Sequence, residues 1–83
     1  MDREIKLIWD FKGPNGAQTA VHHEKHLKEY IAVEGLPLHI TGSQHLSDMH
    51  SLAFMVIAEK DMMAVRDALK PHRAEVWVAQ EKK

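Results

Sequence analysis

The reactive chemistry of this chain sits in one residue type. There are seven histidines and no cysteine in 83 residues, and five of the histidines fall in two short stretches: His22, His23 and His26, then His39 and His45. Imidazole titrates near neutral pH, passes protons and binds metal ions. His22 and His26 are four apart, the spacing that stacks two side chains one helical turn apart. Two imidazoles on one face are expected to bind a divalent ion such as zinc or nickel weakly, since a specific site needs more ligands. Glu29, Glu34 or a partner chain would have to supply them. His23-Glu24 begins like a zincin motif, but Leu27 stands where its second histidine belongs, so that reading fails.

The second stretch reads as a strand. His39, Thr41, Ser43 and His45 share one face, and Leu38, Ile40 and Leu46 share the other with Gly42 and Gln44. If the apolar set packs on helices, the polar set faces away from them. A turn centred on Asp48-Met49 would set His45 opposite Leu52, Ser43 opposite Phe54 and Thr41 opposite Val56. Apolar walls carrying a few hydroxyl and imidazole groups are the make-up of a small-ligand pocket. His45 is then the candidate general base or ligand-orienting group, with His39, Thr41, Ser43 and Phe54 as ligand contacts. Trp9 would shape the wall if its face is the inward one. The competing reading is an edge strand whose polar face is wet.

The elements that must position these groups follow from periodicity. In residues 4–12, Ile5, Leu7, Trp9 and Phe11 alternate with polar positions, Ile8 excepted, so the spacing predicts a strand ended by Gly13-Pro14-Asn15-Gly16. In residues 17–34, Ala20, Val21, Leu27, Tyr30 and Ile31 recur at three and four, which predicts an amphipathic helix stopped by Gly35 and Pro37. Residues 38–46 and 51–59 form two strands of a hairpin around residues 47–50. Asp61 is expected to cap a helix over residues 62–70 that turns Met62, Val65, Ala68 and Leu69 inward, with Pro71 as its stop. Residues 74–79 form a last strand before a polar tail.

The order β-α-β-β-α-β in a single domain, residues 1–83, predicts an α+β fold, the ferredoxin-like plait: a four-stranded antiparallel sheet with both helices on one face. The third strand is apolar on both sides, with Leu52, Phe54 and Val56 on one and Ala53, Met55 and Ile57 on the other. Two helices cover one side. A second subunit would cover the other, sheet against sheet, so a homodimer forming an α/β barrel is expected.

Trp9-Asp10-Phe11-Lys12-Gly13-Pro14 resembles the aromatic-x-aromatic-x-Gly-Pro of small mono-oxygenases of the dimeric α/β-barrel superfamily. Gly42-Ser43-Gln44-His45 through Ala53-Phe54-Met55-Val56, then Asp61 and its helix, is similar to a related family of unknown function. The resemblance implies a dimeric barrel whose relatives oxidise or isomerise small aromatic or polyketide-like substrates, often with no cofactor. It favours His45 and, more faintly, Trp9.

Composition narrows the partners. With 28% charged residues and a net charge of −1, the chain has no basic field for nucleic acid. Its longest apolar run, residues 52–58, is too short for a bilayer, and the start lacks a signal-peptide pattern, so a cytoplasmic protein is expected. No nucleotide loop or Ser-His-Asp order appears. The expected function is binding or transformation of a small organic ligand in a cavity between the two sheets of the dimer, mono-oxygenase-like or isomerase-like. The alternatives are a non-catalytic histidine-based metal or haem binder, and a structural or regulatory dimer module.

Overall fold

The computed structural model describes residues 3–38 and 40–77. Strand β1 (Glu4–Lys12) leads to helix α1 (Gly16–Glu34), strands β2 (Ile40–Ser47) and β3 (His50–Ala58), a 3-10 turn (Glu59–Asp61), helix α2 (Met62–Leu69) and strand β4 (Arg73–Trp77). The sheet order is β2-β3-β1-β4, with every neighbouring pair antiparallel. This is the ferredoxin-like plait that the order of elements predicts.

The core lies between the sheet and the helices. Ile5, Leu7 and Trp9 of β1 and Ala53, Met55 and Ile57 of β3 pack with Ala20, Leu27 and Ile31 of α1 and Val65 of α2. Burying these side chains supplies most of the driving force for folding. Two expected core positions lie outside it: Val21 is 59% exposed and Ala68 is also exposed. Gly35 ends α1 in the left-handed conformation at φ 66°, and its N–H donates to the Ile31 carbonyl. Asp61 does not cap α2 through its side chain. The 3-10 turn carries the chain into that helix instead, and Asp61 Oδ2 is buried with no partner among the described residues.

The other sheet face carries Lys6, Ile8 and Asp10 of β1, Leu52, Phe54 and Val56 of β3, and Arg73, Glu75 and Trp77 of β4. Ile8 (2%), Leu52 (4%) and Val56 (0%) are buried within the single chain. Part of their cover is local: Lys6 Nζ stands 4.5 Å from the centre of the half-buried Phe54 ring and 5.7 Å from that of Trp77. The Phe54 ring leans over Gly42, where an added Cβ would lie 2.5 Å from Phe54 Cζ. Only glycine permits that approach.

The hairpin differs from the symmetrical one expected. Ser47 does pair with His50, but a bulge between His45 and Ser47 then skips Leu46. His45 therefore pairs with Ser51, Ser43 with Ala53 and Thr41 with Met55. The expected partners Leu52, Phe54 and Val56 stand opposite Gln44, Gly42 and Ile40 instead. A one-residue slip exchanges the two faces of a strand. The polar stripe of β2 thus turns toward α1, and Ile40, 37% exposed, turns to the open face.

Candidate functional site

Under α1 the β2 stripe meets complementary groups. Thr41 Oγ1 donates to Glu24 Oε2 across 3.1 Å, and Lys28 Nζ stands 3.6 Å from the same carboxylate oxygen. Further along the strand, Ser43, Gln44 and His45 of β2 and Ser51 of β3 line a crevice with Ala17, Ala20 and Val21 of α1. Its volume of about 50 Å³ takes one small polar group or a water or two. Ala17 and Val21 also belong to an open groove along α1, with Gln18, His22, Glu24, Lys25 and Lys28. His45 is exposed, and Ser43 and Thr41 are half-buried. The site combines an apolar helix wall, the three hydroxyls of Thr41, Ser43 and Ser51, a carboxylate and an imidazole. It can hold a ligand through hydrogen bonds and place a proton acceptor beside it.

The other expected site residues lie elsewhere. Trp9 is 3% exposed in the core, and its indole N–H donates to the Leu69 carbonyl across 2.9 Å at the end of α2. Phe54 is on the opposite sheet face from His45. His39 lies outside the described residues. His22 and His26 do come together, with their Nε2 atoms 3.0 Å apart on the exposed side of α1. Among the described residues, no group of three or more metal-binding side chains could hold a metal ion.

Two further histidine clusters are invisible to pattern reading. On the open sheet face, Asp10 accepts from Arg73 at Oδ2 (Nε, 2.8 Å) and at Oδ1 (Nη2, 3.0 Å), and its Oδ1 lies 2.8 Å from His50 Nε2. The hydrogen bonds from Arg73 lead in holding the Asp10 carboxyl down at about 2, with His50 adding to them against the opposing effect of burial. His50 opens β3 as a half-buried residue, where an exposed turn position is expected. This cluster joins β1, β3 and β4, whose partners are 40 and 63 residues apart.

The second cluster lies beside the core. His23 packs on Trp9 and Phe11 at ring-centre distances of 4.8 and 5.5 Å. Its Nε2 is buried with no partner among the described residues. Burial first, then the nearby histidines His26, His72 and His22, lowers its pKa. His72 Nδ1 accepts the Asp10 backbone N–H across 2.8 Å, so that nitrogen carries no proton in this arrangement.

The α+β plait is the class of fold this chain defines. No protein-family model matches it, and neither the curated proteins nor the solved structures include a significant match. No helix among the described residues is long and apolar enough to cross a membrane.

Proposed function

We propose that the chain binds a small organic ligand in the crevice between α1 and the edge strand β2 and along the adjoining groove of α1, with His45 as its hydrogen-bonding or proton-accepting group. One observation carries this reading: the polar stripe of β2 faces α1, where Ser43 and His45 meet Ala17, Ala20 and Val21 and Thr41 bonds to Glu24. A wet edge strand would leave that stripe in bulk water. The crevice suits a terminal polar group of the ligand, while its body lies along exposed Val21. The short sequence likenesses around Trp9 and His45 support a mono-oxygenase-like or isomerase-like reaction as the enzymatic form of this site. The inter-sheet space is the weaker location, because the bulge turns the hydroxyls and imidazole of β2 away from it.

The oligomeric form that fits is a homodimer paired through the open sheet face. Phe54 and Trp77 are half-buried there, and Ile40 is partly exposed. Lys6 and Glu75 stand there beside the Asp10–Arg73 pair, so an identical partner meets both signs of charge. A structural dimer module without ligand chemistry shares this face and lacks only the groove's activity.

Fragment screening by amide chemical-shift mapping tests the site. Binders should shift Val21, Ser43 and His45, and His45→Ala should weaken them while the folded spectrum is kept. Shifts confined to the Asp10, His50 and Arg73 surface would overturn the assignment. Sedimentation tests the dimer. Wild type should run as a dimer at micromolar concentration, and Phe54→Asp should dissociate or unfold it by placing a charge between sheets.

A further inference from the structure

His22 and His26 stand one turn apart on α1, and the direction of their rings is as informative as their spacing. Their Nε2 atoms are 3.0 Å apart and their ring centres 4.6 Å apart. Two imidazole nitrogens bound about 2.1 Å from one ion lie about 3.0 Å apart if they subtend a right angle, and about 3.4 Å apart at the tetrahedral angle. The corresponding ring centres lie about 4.6 Å and about 5.3 Å apart when each nitrogen points at the ion. A linear hydrogen bond of 3.0 Å between the two nitrogens would hold the centres about 5.3 Å apart, and a bent one between rings tilted by 74° brings them closer. Both observed distances match the right-angle case, so an ion bridging the two Nε2 atoms needs little movement of either ring.

We propose that His22 and His26 form a surface chelate for a divalent transition-metal ion of tetragonal or octahedral preference, Cu(II) or Ni(II), through both Nε2 atoms in adjacent positions. Right-angle coordination by imidazole suits these ions, whereas zinc in protein sites favours the tetrahedral angle. A second observation supports the same arrangement. His26 Nδ1 lies 3.7 Å from Glu29 Oε1, beyond hydrogen-bond length but within reach of a small turn of the carboxylate. A metal-bound histidine commonly directs its other ring N–H toward a carboxylate, which fixes the tautomer and raises the basicity of the ligating nitrogen. The remaining coordination positions are left to water, so the ion exchanges freely. The proposal rests neither on ligand binding in the groove, which His22 also borders, nor on the dimer.

Titration with nickel chloride, followed calorimetrically on the full chain, tests it together with the electron paramagnetic resonance spectrum of the copper-loaded protein. One equivalent of Ni(II) should bind, more tightly than Zn(II). His22→Ala and His26→Ala should each weaken binding at least tenfold, and His45→Ala should leave it unchanged. The copper spectrum should report two imidazole nitrogens in wild type and one in either variant. Both substitutions are at exposed helix positions, and circular dichroism verifies that the fold is kept. Zn(II) binding as tightly as Ni(II), or affinity untouched by either substitution, would overturn the chelate.

Discussion

The Thr41 hydroxyl donates to the Glu24 carboxylate across 3.1 Å, and this bond ties the polar face of β2 to α1. It joins an edge strand to a helix across 17 residues of sequence. The bond is half-buried, so its net worth is about 1 kcal/mol. A double-mutant cycle of Thr41→Val and Glu24→Ala, read from urea denaturation midpoints, should give a coupling of about 0.5–1 kcal/mol. Additive losses would show that the two side chains do not meet in solution.

Asp10 should make stability depend on acid. Its carboxyl is held at about 2, below its ordinary 3.8. A depressed carboxylate stabilises the folded chain above the unfolded value, and that contribution is lost as pH falls from about 4 through about 2. The shift corresponds to at most about 2 kcal/mol, and to about 1 after solvent screening on an open sheet face. Asp10→Asn should therefore cost about 1 kcal/mol at pH 7, with the difference from wild type shrinking toward pH 2. Chemical denaturation at a series of pH values checks both the size and the window. A cost independent of pH down to 2 would assign the loss to packing rather than charge.

His23 should act in a higher window. Its pKa is lowered from 6.5 by burial against Trp9 and Phe11. The unfolded chain then binds the proton first, so stability declines as pH drops through 6.5 toward the lower folded value. The largest slope one such group can contribute is about 1.4 kcal/mol per pH unit. His23→Phe removes the titrating group and keeps an aromatic ring on Trp9. Thermal unfolding between pH 5 and 7 should show a flatter profile for this variant than for wild type, and identical profiles would remove His23 as the source.

Much of the architecture was legible in the residues themselves. The period-two run of Ile5, Leu7, Trp9 and Phe11 marks β1, and its apolar face is the one that packs on the helices. Gly35 stops α1 because it alone there adopts a left-handed conformation without strain. Local periods and turn residues specify elements, and the order of elements specifies the plait. The facing of β2 was decided only in three dimensions. A single skipped residue, Leu46, exchanges its two faces, and nothing in an alternating string announces a bulge. The tertiary reason for that register is a pair of contacts. Gly42 must lie under the Phe54 ring, and Thr41 must reach Glu24. The Asp10, His50 and Arg73 cluster depends on the tertiary structure in the same way, since its members meet through strand pairing across long sequence separations. Periodicity reports which residues share a face; packing decides what that face meets.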